Sequence, residues 1–177
     1  MLRAVKPNTG PNVNSEQVIL YLDFDGVLHD DGVYWSPNRG IYIKIGQLFE
    51  AADMLTEALR PVPLVRIVLS TSWVRAIGYS RTVKRLRRHV GNELADRVIG
   101  STYHSRETPE WDHLSRYSQI DRDAQRRGLR RWAAIDNDSD GWPDAERERL
   151  VLTEDRGMRA ENADDLTNRL RKLTSES

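Results

Sequence analysis

The chain has 177 residues, of which 27 are basic and 27 acidic, and it contains no cysteine. The balanced charge excludes a strong overall field that would steer the protein toward nucleic acid, and the lack of cysteine excludes disulfide bonds and thiolate metal sites. No apolar run approaches the ~20 residues of a membrane helix, and residues 1–17 lack the apolar core of a signal peptide. We therefore expect one soluble domain in the cytoplasm, without a membrane partner; the oligomeric state stays open.

The first third of the chain predicts a polar tail followed by alternating strands and helices. The tail covers residues 1–17 and contains two prolines and three asparagines. The apolar run at residues 18–22 predicts a buried strand, and residues 33–35 lie between turn dipeptides and predict one arm of a small hairpin. Apolar residues at helical spacing predict a helix over 44–60 that ends before a proline, and a second apolar run predicts a strand over 64–69.

The rest of the chain continues the same alternation. The predicted elements are a helix over 81–90 capped by Ser80, a strand over 97–99, a loop over 100–115, a helix from Ser118 to Arg127, strands over 132–135 and 150–152, and a last helix capped by Asn162. Strands that alternate with helices indicate parallel β-α-β units. We therefore predict a three-layer, doubly wound α/β domain over residues 18–173, with a short tail at 174–177.

The stretch that ends the first predicted strand carries two carboxylates, Asp23 and Asp25, followed by Gly26. Residues two apart in an extended chain point the same way, so both acids can face one site, and glycine lets the backbone turn there or approach a ligand. Two carboxylates so close repel each other unless a cation is present, and hard oxygen ligands suit Mg²⁺. One carboxylate can act as a nucleophile while the other transfers protons.

Two further predicted strands also end in polar residues that can join this site. Ser70, Thr71 and Ser72 follow the second strand of the domain, and the acids Asp136, Asp138 and Asp140 follow the strand over 132–135. Because parallel strands end at the same edge of a sheet, these groups can converge with the first acidic pair. Arg116, ahead of the helix between them, can hold a phosphoryl oxygen or an anionic intermediate.

These parts, in this order, resemble the motifs of the haloacid dehalogenase-like (HAD) superfamily in its phosphatase-type branch. Residues 23–28 match its first motif, a strand ending in D-x-D-G; Ser70 or Thr71 matches the second motif; Arg116, twenty residues before Asp136, matches the third. Asp136 and Asp140 match the fourth, an acidic pair. The chain is also similar to small bacterial and phage members, including the domain attached to some RNA-repair proteins, through Thr71-Ser72-Trp73 and a late turn at Gly157-Met158-Arg159.

The resemblance implies a role for each matched residue. Asp23 becomes a phosphoaspartate, and Asp25 protonates the leaving oxygen and then activates water. Mg²⁺ is held by the Asp23 side chain, the Asp25 main-chain carbonyl and Asp136, with Asp140 as the further acid. Thr71 donates to the phosphoryl group. Backbone N–H groups near Phe24, Asp25 and Ser72 assist it, and Ser70 and Gly26 are further candidate substrate contacts. Ser70 remains an alternative to Thr71, Asp138 to Asp140, and Arg106, Arg122 or Arg126 to Arg116.

The sequence indicates the class of reaction but not the identity of the substrate. Neither the segment between residues 26 and 63 nor that between 73 and 115 leaves room for a separate cap domain, so we expect an open site that admits a phosphorylated small molecule or a large substrate such as a nucleic-acid end. Two alternatives remain at this point: a protein of the same fold that mainly binds, with weak turnover, and a metal-dependent nuclease that uses the same clustered acids.

Overall fold

Five parallel strands form the central sheet in the computed structural model, which describes residues 17–104 and 110–175. The strands of the chain are β1 (Ile19–Leu22), β2 (Val33–Ser36), β3 (Gly40–Ile43), β4 (Arg66–Leu69), β5 (Val98–Ser101), β6 (Trp132–Asp136) and β7 (Leu150–Leu152). The sheet order is β5-β4-β1-β6-β7, and β2 and β3 form a separate antiparallel hairpin. The predicted doubly wound α/β architecture and the predicted hairpin are confirmed.

Helices cover both faces of the sheet. They are α1 (Ala52–Leu59), α2 (Trp73–Ile77), α3 (Tyr79–Ala95), α4 (Arg116–Arg127) and α5 (Ala160–Ser175), with 3-10 helices at Glu110–His113 and Asp144–Arg149. Strand β1 is fully buried, and its alternate residues pack into two separate apolar clusters. Leu20 and Leu22 belong to the cluster that contains residues of α1, α3 and α5. Ile19 and Tyr21 belong to the cluster that contains residues of α4. Burial on both faces explains the continuous apolar run.

The beginnings of several helices differ from the sequence predictions. The helix predicted over 44–60 is wrong in its first half, because Gly46 and Phe49 have φ angles of +80° and +63°, which a right-handed helix cannot contain. Helix α1 therefore begins at Ala52. Helix α2 was not predicted, and α3 begins after Gly78 rather than at a Ser80 cap.

The caps of the last two helices also differ. Ser115 is the N-cap of α4 and accepts a hydrogen bond from the Ser118 N–H at 3.3 Å, so the helix begins at Arg116, two residues before the predicted start at Ser118. In α5, Asn162 lies inside the first turn and accepts from the Arg159 N–H at 2.8 Å. The predicted tail over 1–17 falls almost wholly on residues 1–16, which lie outside the described part, as do residues 105–109 of the predicted loop and residues 176–177.

The segment between β1 and α1 holds the β2–β3 hairpin and, over these described residues, no separate cap domain. This agrees with the prediction of a capless or minimally capped fold. No helix within residues 17–104 and 110–175 combines the length and the apolar character that crossing a bilayer requires.

Asp123 anchors helix α4 to the sheet. Its carboxylate is almost completely buried, accepts a hydrogen bond from the Tyr21 hydroxyl of β1 at 2.9 Å, and is paired with Arg127 at 2.6 Å and with Arg126. Burial, followed by the Asp123 charge, raises the pKa of the Tyr21 hydroxyl, which keeps it protonated as the donor. The network is satisfied only while all its members are present.

Replacing Asp123 by alanine should lower the free energy of unfolding by about 3 kcal/mol, because it leaves a buried hydroxyl and a largely buried arginine without their acceptor. Urea unfolding measures the change. Asp121→Ala provides the control, since Asp121 lies on the same helix and only accepts from exposed Gln125; its effect should stay within about 0.5 kcal/mol. Equal effects of the two changes would contradict the anchoring role.

Candidate active site

The carboxyl ends of three neighbouring strands bring the predicted site residues together. Strand β1 lies between β4 and β6, and the chain order reverses between β1 and β6, which is where open α/β sheets bind ligands. Asp23 follows β1, Ser70 and Thr71 follow β4, and Asp136 ends β6. The predicted convergence of residues from distant parts of the chain is therefore present in the structure.

Arg116 connects the two buried carboxylates of the site. Its Nη2 lies 3.4 Å from Asp23 Oδ2 and its Nε lies 3.0 Å from Asp136 Oδ2, while Nη1 donates to the Ser70 carbonyl at 2.5 Å. The first residue of α4 thus reaches across the ends of β4, β1 and β6. Of its predicted rivals, Arg126 pairs with Asp123 away from these acids, and Arg106 lies outside the described residues.

Burial disfavours the charged forms of both carboxylates. It raises the pKa of Asp23 to about 6; the nearby Arg116 lowers this pKa and the Asp25 charge raises it further. Burial, together with the Asp23 charge, also raises the pKa of Asp136 well above its ordinary value. The single positive charge of Arg116 therefore does not fully offset the cost of burying two negatively charged carboxylates in this site.

Asp25 has a different environment. Its Oδ1 accepts hydrogen bonds from Trp73 Nε1 at 2.8 Å and from His29 Nε2 at 3.1 Å, and its Oδ2 lies 3.4 Å from Ser72 Oγ. The contacts of Trp73 and His29 with this acid were not predicted. Sequence spacing offered only a weak signal, namely that Trp73 follows the three hydroxyl residues and His29 lies four residues after Asp25.

The three hydroxyl residues after β4 have different surroundings. Thr71 and Ser72 line a cavity of about 280 Å³ together with Arg116. The Ser70 hydroxyl is buried without a hydrogen-bond partner among the described residues, and it does not line this cavity. The geometry favours Thr71 over Ser70 as the group that meets a substrate.

Phe24 and Gly26 shape the loop after β1. The Phe24 ring is buried against Trp73, with ring centroids 5.6 Å apart. Gly26 has a φ of +71°, and a Cβ there would lie 2.4 Å from the Asn137 side chain. Only glycine therefore allows this loop to pack against the loop after β6.

Two solved structures resemble the chain at 14% identity and a TM-score of 0.41. One is the 3-deoxy-D-manno-octulosonate 8-phosphate phosphatase from Yersinia pestis, and the aligned region covers 91% of this chain and 85% of that protein's chain. The other, from Vibrio cholerae, carries the same enzyme name, and the aligned region covers 92% of this chain and 88% of that protein's chain. Neither likeness is close enough to bear on the chemistry of this site. No curated protein matches the chain.

The sequence pattern of one family matches residues 19–163, which include Asp23, Asp25, Thr71, Arg116 and Asp136. This family is described as the HAD domain in Swiss Army Knife RNA repair proteins. The chain belongs to this family. The resemblance to the HAD superfamily, predicted from four short motifs, and the narrower resemblance to its RNA-repair-associated members are thereby confirmed.

The donor atoms of this HAD domain fit a divalent cation. Asp23 Oδ1 and Asp136 Oδ2 are buried without a hydrogen-bond partner in the described part of the chain, although Arg116 Nε lies near the second. Buried carboxylate oxygens without donors are the ligands that a hard cation takes. No group of three or more acidic or histidine side chains within residues 17–104 and 110–175 is arranged to hold a metal, so the fit depends on these two carboxylates.

The two remaining candidate metal-binding acids of the HAD domain, Asp138 and Asp140, line the cavity of the site. The Asp138 N–H donates to Asp136 Oδ1 at 3.0 Å, and the Asp140 N–H donates to Asp138 Oδ1 at 2.8 Å. Both acids line the same 280 Å³ cavity as Arg116. The assignment of Asp140 rather than Asp138 as the further metal-binding acid stays a prediction.

The raised pKa of Asp23 predicts how the stability of the metal-free protein depends on pH. Because the folded-state pKa is about 6 and the ordinary value is 3.8, the folded state binds this proton more tightly than the unfolded chain does. The contribution of Asp23 to stability is fully present below pH 3.8 and is lost as the pH rises through about 6.

In EDTA, Asp23→Asn should therefore become more stable than the wild type by about 2 kcal/mol as the pH rises from 4 to 8, because asparagine carries no charge to desolvate. Urea unfolding across this range measures the difference. Asp53→Asn, at an exposed acid of α1, serves as the control and should follow the wild type. Parallel wild-type and Asp23→Asn curves would contradict the prediction.

Proposed function

We propose that this HAD domain is a magnesium-dependent hydrolase of phosphate monoesters that works through a phosphoaspartate on Asp23. The observation that carries the proposal is the placement of Asp23 and Asp136 around Arg116, with Asp25 beside them and Thr71 at the cavity. A buried nucleophilic carboxylate, a second carboxylate for proton transfer and a cation for the phosphoryl oxygens are the groups that phosphoryl transfer through aspartate requires.

In the proposed reaction, the phosphoryl group is first transferred to Asp23 and the intermediate is then hydrolysed. In the first, an Asp23 oxygen forms a bond to phosphorus while the bond from phosphorus to the leaving oxygen breaks, and Asp25 gives that oxygen its proton. In the second, Asp25 takes a proton from water, whose oxygen attacks phosphorus and frees Asp23. Arg116 and the Thr71 hydroxyl hold phosphoryl oxygens throughout. Asp23, Asp136 and the Asp25 carbonyl would hold a magnesium ion, which would supply neutralising charge for the transferring group.

Replacing Asp23 by asparagine should abolish the release of phosphate from p-nitrophenyl phosphate, because an amide cannot form the covalent intermediate. The wild type should form a beryllium fluoride adduct on Asp23 that mass spectrometry or crystallography can locate. Asp144→Asn, at an exposed acid that does not line the cavity, should keep wild-type activity. Activity that survives in Asp23→Asn would contradict the mechanism, and an inactive wild type in magnesium would favour a binding protein.

Magnesium should raise the melting temperature of the wild type at pH 7.5, because a cation offsets the repulsion of two desolvated carboxylates. Differential scanning calorimetry with magnesium or with EDTA measures the shift. Asp136→Asn should lose most of it, whereas Asp165→Asn, in the ion pair with Arg169 on α5, should retain it. A shift that is equal in both variants would contradict the assigned metal site.

The finer proposal concerns the substrate, for which we infer the phosphorylated end of a single-stranded nucleic acid. The β2–β3 hairpin beside the open site carries stacked Tyr34 and Tyr42, with ring centroids 5.8 Å apart, and Trp35, whose surface is 64% exposed. Lys44 lies 4.3 Å from the Tyr34 ring centre and Arg39 lies 5.6 Å from that of Tyr42. Exposed rings for bases and cations for phosphates are the two components of a single-strand site.

The charge of the hairpin supports the same substrate. Residues 33–45 contain Arg39 and Lys44 but no acid, although the whole chain is neutral. Among the described residues, neither cation makes an ion pair with a carboxylate. The guanidinium of Arg85 lies against the hairpin turn at Gly40 and 5.9 Å from the Trp73 ring centre, so the basic surface continues from the hairpin toward the site.

The double variant Tyr34→Ala/Trp35→Ala should hydrolyse a phosphorylated decanucleotide with a kcat/KM about tenfold lower, since stacking contributes ~1–3 kcal/mol per base. Hydrolysis of p-nitrophenyl phosphate should stay unchanged, because these rings do not contact the reacting groups. Leu64→Ala, which removes an exposed apolar side chain before β4, is the matched control. A preference for phosphopeptides over oligonucleotides, or nicks inside the strand, would contradict the proposal.

A further inference from the structure

The carboxylate of Asp25 is held at one oxygen and left available at the other. Oδ1 accepts two short hydrogen bonds, from Trp73 Nε1 at 2.8 Å and from His29 Nε2 at 3.1 Å. Oδ2 accepts one longer hydrogen bond, from the Ser72 hydroxyl at 3.4 Å. Ser72 lines the cavity that also contains Thr71 and Arg116, so the more weakly bonded oxygen is the one on the side of the site.

The two donors are fixed by their surroundings. His29 is fully buried, and its Nδ1 accepts the backbone N–H of Phe49 at 3.2 Å. A nitrogen that accepts carries no hydrogen, so the imidazole is neutral with its hydrogen on Nε2, directed at Asp25. Trp73 is held by edge contacts with Phe24 and Phe49, at centroid distances of 5.6 and 5.4 Å. Neither ring can turn away without disrupting the core.

We propose that Trp73 and His29 are positioning residues that direct Asp25 Oδ2 at the leaving oxygen of the substrate. Because Oδ1 already accepts two N–H groups, the proton that Asp25 transfers resides on Oδ2. As the bond from phosphorus to the leaving oxygen breaks, the proton passes from Oδ2 to that oxygen, and the charge that develops on the carboxylate is stabilised at Oδ1 by the two donors. The inference depends on the proposed role of Asp25 as general acid.

The test compares two substrates that need the acid to different degrees. The p-nitrophenolate ion leaves without a proton, whereas the oxygen of ethyl phosphate requires one, and kcat/KM reports the step in which that oxygen leaves. Trp73→Phe keeps most of the ring packing and removes the N–H. It should lower kcat/KM for ethyl phosphate about tenfold more than for p-nitrophenyl phosphate, which is less than the ~10²–10⁴-fold that general acid catalysis contributes, because Asp25 and the His29 donor remain.

Trp132→Phe is the matched control, because Trp132 is also buried but packs with Tyr21 and Trp142 on the other face of the sheet. It should change kcat/KM for both substrates by the same factor. If Trp73→Phe also changes both equally while the wild type is active, the positioning role is overturned and the proposed phosphatase is not.

A pair of His29 variants separates positioning from packing. His29→Gln places its amide N–H near the position of Nε2 and should retain most of the ethyl phosphate activity. His29→Asn can accept from Phe49 at the position of Nδ1 but cannot reach Asp25, so it should show the same substrate-dependent loss as Trp73→Phe. Equal ratios of the two kcat/KM values in these variants would overturn the role of His29.

A second readout does not depend on activity. The chain has five tryptophans, so its proton–nitrogen NMR spectrum should show five indole signals, and Trp73→Phe identifies the signal of Trp73. In Asp25→Ala that signal should move upfield and exchange faster with water, while the signals of Trp132 and Trp142 stay in place. An unmoved Trp73 signal would overturn the inferred hydrogen bond. An inactive wild type would instead overturn the proposed function, and with it the catalytic purpose of the contact.

Discussion

Two carboxylates from neighbouring strands, buried around one guanidinium, are the constraint on which the rest of this structure depends. Parallel strands lie about 4.8 Å apart, so Asp23 after β1 and Asp136 at the end of β6 are held close whether or not their charges are balanced. Arg116 contacts both, yet the pKa values of both acids remain raised by burial. The negative charge that Arg116 leaves uncompensated is the physical reason for the proposal that a cation binds here.

The segment after β7 holds the first acidic loop in place without contributing any reactive group. The Thr153 hydroxyl donates to the Gly26 carbonyl at 2.6 Å, and the Met158 N–H donates to the Val27 carbonyl at 2.7 Å. Gly157, with a φ of +100°, lies close to the Val27 carbonyl. The turn at Gly157–Arg159, which the sequence resemblance singled out, is thus part of the active-site framework, because it fixes the loop that carries Asp25.

Sequence reasoning succeeded where a local pattern determines structure directly. The apolar runs predicted the strands of the central sheet, and the order of the motifs predicted the family and the groups at the strand ends. It failed where the backbone conformation depends on single residues: Gly46 and Phe49 delay α1, and Gly78 begins α3. Periodicity of apolar residues reports which face is buried, but it does not report where left-handed residues interrupt a helix.

By itself the sequence determined the chemical inventory of this HAD domain: two acids after one strand, hydroxyls after a second, acids after a third and an arginine before a helix. Only the tertiary structure decided how these groups meet. It showed that Arg116 contacts both buried acids, that Thr71 rather than Ser70 lines the cavity, and that Trp73 and His29 hold Asp25 at one oxygen. The reason is physical: hydrogen bonds between residues far apart in the chain depend on side-chain packing, which leaves no periodic signal in the sequence.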